Sequence, residues 1–176
     1  MRDAYGLLKA AIADDDPVLY LEYKYLYRRL KHTLPEHDGT VPLGQAAIRR
    51  EGDDLSIITY GPTLYPSLEA AQALAQEGVG VEVLDLRCLV PMDWDAVNAT
   101  VDKTSKVVVV HEDYLSGGVG AEIASRIAEH RFESLDGPVL RVASQDTPTP
   151  FAPPLEQEHL PTKEKILAAA RRLAAY

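Results

Sequence analysis

A chain of 176 residues buries roughly 70% of the surface its unfolded form exposes, enough for one self-sufficient core. With 46% hydrophobic and 26% charged residues, the composition is that of an ordinary globule and argues against wholesale disorder or a fibrous architecture. A formal charge of −9 with only 18 basic residues speaks against nucleic acid as a partner, because binding phosphates needs a concentration of Lys and Arg.

The first predicted element is a helix over "DAYGLLKAAI", followed by Asp14-Asp15-Asp16 and Pro17. A loop leaving a helix end presents backbone carbonyls, and a carboxylate added to them completes an oxygen cage for a hard cation. The plainer reading is a solvated turn with a helix-stopping proline. A strand is expected at "VLYLEY", residues 18–23, then a basic, aromatic piece, "KYLYRRLKHTLPEHDGTVP", that ends in turn and linker residues. Its interleaved aromatic and basic side chains resemble a single-strand nucleic-acid surface, but the overall charge opposes that. Arg28 and Arg29 are expected to pair with acidic neighbours at a domain junction. One helix and one strand cannot enclose a core. Residues 1–45 therefore read as the tail of another domain plus a linker, and residues 46–176 as the main domain.

From residue 54 onward, β-branched runs alternate with amphipathic segments, the signature of helices crossing over between parallel strands. The strands are "LSIITY" (55–60), "GVEVLDL" (80–86), "KVVVVH" (106–111) and "PVLRVA" (138–143). The first crossover helix puts Leu64, Leu68, Ala71, Leu74 and Ala75 on one face, with Gly78 just past its end. The second starts at Asp93 as N-cap and turns Trp94, Val97 and Val101 inward. The third runs from about Gly118 to Arg131 with Ile123 and Ile127 buried. The last opens at Pro161-Thr162 and buries Ile166, Leu167, Ala170 and Leu173. Glu51-Gly52-Asp53 reads as a hairpin turn that adds an antiparallel edge strand, and "DTPTPFAPPLE" (146–156) as an extended connection. The expected fold is a three-layer α/β/α sandwich around a mixed, mostly parallel sheet of about five strands.

His111, Glu112 and the glycines Gly117, Gly118 and Gly120 stand where an open α/β sheet often places a ligand. Adjacent strand residues point to opposite faces, so His111 and Glu112 cannot form a mutually bonded dyad while the strand continues. No Ser or Cys nucleophile stands in an elbow motif nearby. A dinucleotide fingerprint needs a third glycine that this sequence lacks, and Glu122 in the first helical turn repels a phosphate. The stretch reads as a tight strand-to-helix corner rather than a catalytic or phosphate site. Cys88 has no second thiol in the chain and reads as a packing residue. No apolar run approaches the roughly 18 to 20 residues of a membrane span, and the opening residues lack a signal core, so a cytoplasmic setting is the default.

In order along the chain, "PVLYLEYKYLYR", "VPLGQAAIRREGDDLSIITYG", "EVLDLRCLVPMDWDAV", "KTSKVVVVHED", "GGVGAEIA", "LDGPVLRVASQDTPTPFAPPLE" and "LPTKEKI" resemble the beta subunit of thiamine-diphosphate-dependent 2-oxoacid dehydrogenases. The likeness is greatest to the branched-chain (2-oxoisovalerate) type and the related pyruvate and acetoin enzymes. The resemblance implies a transketolase-type carboxy-terminal domain preceded by the last helix and strand of a pyrimidine-binding domain. The activating glutamate and the active-site histidine would then lie in a part of the family's chain outside this sequence. It implies that thiamine diphosphate and magnesium are held with an alpha subunit, so no catalytic or cofactor-binding residue is assigned here, and the chain by itself is expected to be inactive. By the same resemblance a monovalent cation, usually potassium, sits at "AIADDDP", using the carbonyls of Ala11 and Asp14 and the carboxylate of Asp16. The family more often has Asn at that last position. The implied partners are the alpha subunit and a second beta subunit, in a heterotetramer, and the basic subunit-binding domain of the lipoyl acyltransferase, with Asp136 and Tyr176 as contacts. Two rival functions stay open: a free-standing dimerisation or docking module, and a flavodoxin-like nucleotide binder using Gly118 and Gly120.

Overall fold

The computed structural model describes residues 2–31 and 39–176. The turn-and-linker reading of "HTLPEHD" lies outside the described residues. In chain order the elements are helix α1 (Arg2–Ala13), a 3-10 turn (Lys24–Arg28), strand β1 (Ala47–Arg50), β2 (Leu55–Thr59), α2 (Leu64–Gln76), β3 (Val81–Asp85), α3 (Trp94–Thr104), β4 (Val107–Tyr114), α4 (Val119–His130), β5 (Leu140–Ser144), α5 (Pro153–His159) and α6 (Lys163–Ala174).

The strands form one five-stranded sheet in the order β1-β3-β2-β4-β5. Strands β2 to β5 pair in parallel and β1 pairs antiparallel with β3. Because side chains alternate across a strand, the valines of β4 divide between two cores. Val108 and Val110 join Leu55, Ile57, Leu74, Ile166 and Leu173 under α2 and α6. Val107 and Val109 join Ile58, Leu84, Val97, Ile123 and Ile127 under α3 and α4. Both faces of the sheet are covered, the three-layer arrangement that continuous apolar strands require. Asp93 caps α3 by accepting from the backbone N–H of Ala96 at 3.0 Å.

Four expectations need correction. The edge strand is antiparallel as expected, but it is no hairpin partner of β2. Strand β2 is buried along its whole length and bonded to β3 on one side and β4 on the other, so β1 takes the free side of β3. The turn through Gly52 crosses the start of β3 so closely that a Cβ there would lie 2.2 Å from the carbonyl carbon of Val81. The strand expected at 18–23 does not form. A strand needs a neighbour, and no described residue pairs with this one. The connection at 146–156 is not extended throughout, since α5 begins at Pro153; proline is tolerated in a first helical turn, where its missing N–H has no intrahelical acceptor to lose. Arg29 lies over the ring of Tyr25 at 3.8 Å, a cation–π contact, and among the described residues neither Arg28 nor Arg29 makes the expected ion pair.

Candidate functional site

The sheet order reverses at β2: the chain moves to β3 on one side and then to β4 on the other. In open α/β folds the crevice beyond the carboxyl ends of two such strands is the usual ligand position. Here Tyr60 follows β2 and His111 lies in β4, and their rings stack with centroids 6.3 Å apart and planes 7° from parallel. His111 is 0% exposed. Gly118, the N-cap of α4, and Gly120 in its first turn close over the imidazole. A Cβ on Gly120 would stand 2.2 Å from the ring, and one on Gly118 would stand 2.7 Å from Cε1. The glycines make room for a side chain, and that side chain occupies the space a phosphate would need.

Among the described residues neither ring nitrogen of His111 has a hydrogen-bond partner. Burial pushes its pKa below the ordinary histidine value, with Asp113 opposing and Arg141 adding to the shift. The positive end of α4 beside it further disfavours the imidazolium. The ring is therefore neutral at physiological pH. Strand β4 continues to Tyr114, so Glu112 points to the other face. Its carboxylate accepts from the Tyr23 hydroxyl at 3.1 Å. Burial raises the Glu112 pKa, and burial followed by the Glu112 charge pushes Tyr23 up to about 12. The loop after β4 is held by the side chain of Asp146, which accepts from the Ser116 N–H at 2.9 Å and hydroxyl at 2.6 Å. These contacts fix a corner; they bring no nucleophile to a base.

The expected cation ligands lie at the end of α1. Ala11 is in its last turn, and the Asp14 carboxylate accepts from the N–H of Asp16 at 3.0 Å, closing a local turn. Asp14, Asp15 and Asp16 are all exposed. Among the described residues no cluster of three or more His, Cys, Asp or Glu is arranged to hold a metal. Asp136 and Tyr176, 40 positions apart in sequence, do come together: both line an open groove of about 700 Å³, with Ala121, Ala124, Phe132 and Arg141 on its other walls. Cys88 is a half-buried free thiol.

Two polar clusters escaped the sequence reading. At the antiparallel edge, Arg49 donates to Asp85 from Nε at 3.0 Å and from Nη2 at 2.8 Å. Asp3 of α1 accepts from Arg49 and, at 3.2 Å, from Arg87. Burial raises the Asp85 pKa against the pull of Arg49. Below α3, Glu82 is 0% exposed yet accepts from the Thr100 hydroxyl at 2.8 Å and from Lys103 at 2.5 Å. Hydrogen bonds to Glu51 and Glu82 raise the Lys103 pKa. The signal for both was a charge inside an apolar strand, Glu82 and Asp85 in "VEVLD", since a buried carboxylate needs a partner.

The family model of the transketolase C-terminal domain matches residues 44–166. The chain belongs to this family. It is 42% identical over 99% of its length to the 2-oxoisovalerate dehydrogenase subunit beta of Bacillus subtilis (strain 168). It is 43% identical over 99% of its length to the pyruvate dehydrogenase E1 component subunit beta of the same organism. These matches cover 54% and 53% of those proteins, so the chain spans about half the length of the curated relatives it matches. Among solved structures, a split-gene transketolase described as an inactive beta4 tetramer aligns over 77% of this chain and 43% of its own, with a TM-score of 0.67 and 26% identity. The transketolase carboxy-terminal fold thus accounts for the sheet order, and the His111 corner sits inside the matched region.

Proposed function

We propose that this chain serves as the carboxy-terminal part of a 2-oxoacid dehydrogenase beta subunit, with residues 46–176 as the transketolase-type domain and residues 1–45 as the tail of a pyrimidine-binding domain plus a linker. The observation that carries the reading is collinear identity of 42 to 43% along nearly the whole chain to two such subunits. One acts on 2-oxoisovalerate and the other on pyruvate by name, and their near-equal identities leave the acyl group as a branched-chain or small 2-keto acid. The intact enzyme would decarboxylate that acid and pass the acyl group to lipoamide, in the cytoplasm.

The residues at the sheet crevice do not fit thiamine diphosphate. His111 and Tyr60 fill the position, and Glu122 stands in the first turn of the helix that would face the phosphates. No chemical step is therefore routed through this chain. Thiamine diphosphate and magnesium belong with the alpha subunit and the complete pyrimidine-binding domain. The contribution of this chain is assembly: it joins an alpha subunit and a second beta subunit in a heterotetramer, and its groove beside Asp136 and Tyr176 receives the basic subunit-binding domain of the lipoyl acyltransferase. The acidic side chain of Asp136 on the groove orients such a partner more than it holds it. Potassium takes the carbonyls of Ala11 and Asp14 and the carboxylate of Asp16.

Reconstitution tests the reading. Carbon dioxide release from 2-oxoisovalerate or pyruvate is expected only when the chain is mixed with an alpha subunit and the pyrimidine-binding half of a related beta subunit. Turnover by the chain with only thiamine diphosphate and magnesium would refute it, as would a full mixture that neither assembles nor reacts. For the cation, the reconstituted assembly should melt higher in potassium than in choline chloride, and Asp16→Ala should abolish the difference.

A further inference from the structure

Asp136 and Gly137 form a bend between the 3-10 turn Phe132–Ser134 and β5. The backbone N–H of Asp136 donates to the Ser105 carbonyl at 2.9 Å, which fixes the residue from one side. Beyond that bond the pair is unheld. Among the described residues the Asp136 carboxylate has no hydrogen bond or ion pair, and the Gly137 N–H has no acceptor. Asp136 is exposed, and both residues line the open groove. Other loop carboxylates are engaged: Asp93 caps α3, Asp146 holds Ser116, and Asp54 accepts from the Gly80 N–H at 2.6 Å. Each of those is also followed by a residue with a side chain. Packing requires glycine at 137, where a Cβ would stand 3.1 Å from Leu173 Cδ1 and 3.3 Å from Tyr176 Cγ. The missing side chain that lets α6 close on this bend also leaves the amide nitrogen open to the neighbouring carboxyl group.

We propose that Asp136-Gly137 is a site of spontaneous backbone isomerisation, and that its product is a substrate for a carboxyl methyltransferase that uses S-adenosylmethionine. The Gly137 nitrogen attacks Cγ of Asp136. A C–N bond forms, the carboxyl hydroxyl leaves with the amide proton as water, and a cyclic imide results. Groups joined in one residue pair meet at high effective concentration, so the step needs no enzyme. Water then opens the ring at either carbonyl carbon. Cleavage at Cγ restores Asp136. Cleavage at the main-chain carbonyl carbon leaves isoaspartate, with the Cβ methylene inside the main chain and the α-carboxylate as the branch. That carboxylate, exposed on the groove, is the methyl acceptor. Transfer leaves S-adenosylhomocysteine, and the Gly137 nitrogen then displaces methanol from the ester to form the imide again. In the isoaspartyl chain the added methylene displaces Gly137 from its seat against Leu173 and moves the negative charge on the groove. A partner seated in the groove covers the pair, so the reaction belongs to the undocked chain. It does not depend on the function proposed above.

Incubation of the full chain in heavy-oxygen water at physiological temperature tests it, followed by transfer to ordinary water, trypsin digestion and mass spectrometry. Each passage through the imide puts one heavy oxygen atom into the peptide of residues 132–141, so label should accumulate there with time. A second form of this peptide, the isoaspartyl one, should elute apart from the first. The aged chain should accept a labelled methyl group at that peptide from S-adenosylmethionine and an isoaspartate-specific methyltransferase. Asp136→Glu keeps the charge but must close a larger ring, and should lose both the label and the methyl acceptance. Its side chain has no partner to lose, so the circular dichroism of the variant should match the parent. A synthetic peptide of residues 132–141 gives the unrestrained rate. Label in that peptide but none in the folded chain would mean that the fold holds the carboxyl group away from the nitrogen, and overturns the proposal. Label that persists in Asp136→Glu overturns it as well, and a labelled chain that accepts no methyl group overturns the methyltransferase step.

Discussion

His111 shows how a residue that looks chemical can be structural. Its ring is held between Tyr60 and the glycines at the start of α4, so the corner depends on the volume of one imidazole. Gly120→Ala introduces a methyl group where the nearest ring atoms leave 2.2 Å, and overpacking of that kind costs about 1 to 3 kcal/mol. Urea unfolding should show this loss, and His111→Ala in the same chain should relieve most of it, because the ring makes the 2.2 Å clash and the next atom, Val109 Cγ1, stands off at 3.3 Å. The pH dependence follows from the lowered pKa. Above the ordinary histidine value of 6.5 the ring is neutral in both folded and unfolded chains, and its contribution to stability is complete. As pH falls below that value the unfolded chain takes up a proton that the folded corner refuses, so stability declines toward the lower folded pKa. Glu112, whose pKa is raised, works in the opposite direction. The comparison is therefore between the parent and His111→Asn, whose stability should fall less steeply from pH 7 to pH 5.

At the scale of elements, what the sequence reveals is what local pattern controls. The parallel strands, the Asp93 cap and the buried face of α6 were legible because periodicity and capping are written in neighbouring residues. The pairing of β1 with β3 was not, because the competition between β1 and β4 for the edge of β2 is settled by residues some 50 positions apart. The absence of a strand at 18–23 was likewise illegible: its residues have strand propensity and lack only a partner. At the site, the rejection of a phosphate loop was readable from a missing glycine and Glu122, whereas the filling of the crevice by His111 depends on contacts across the sheet. Asp136 and Tyr176 could not be placed in one groove without the fold. The contact of α2 with α6 gives a test of which forces hold these layers. Leu173 is 0% exposed in that core, and Leu173→Ala should cost about 2 to 5 kcal/mol in urea unfolding. Arg171 bonds Glu77 at 2.6 and 3.0 Å across the same helices, but both side chains are in water, where such pairs are screened. Arg171→Ala should leave the unfolding midpoint close to that of the parent.

For the whole molecule, residues 2–31 and the layered domain differ in how they are held. The domain is built on two apolar cores, one on each face of the sheet. In α1 only Gly6 and Leu7 are buried, and the helix meets the domain through ion pairs of Asp3 with Arg49 and Arg87, while the backbone bond from Val41 to Gly6 at 3.1 Å ties it to the segment before β1. Tyr23 adds one bond to Glu112 at the far end. Local opening costs least where few apolar contacts are lost. Residues 2–31 should therefore exchange their amide hydrogens as a unit, well before β2, β3 and β4, under conditions where the domain stays folded. Because Asp3 is partly exposed, its two ion pairs weaken with salt, so raising the ionic strength should speed exchange in α1 and leave the central strands unchanged. Asp3→Asn keeps the size of the side chain and removes its charge. In that variant the exchange of α1 should already be fast at low salt and insensitive to added salt, measured peptide by peptide by mass spectrometry. Exchange in α1 as slow as in β2, or equal salt sensitivity in the variant and the parent, would mean that apolar packing holds the segment and that Asp3 is incidental.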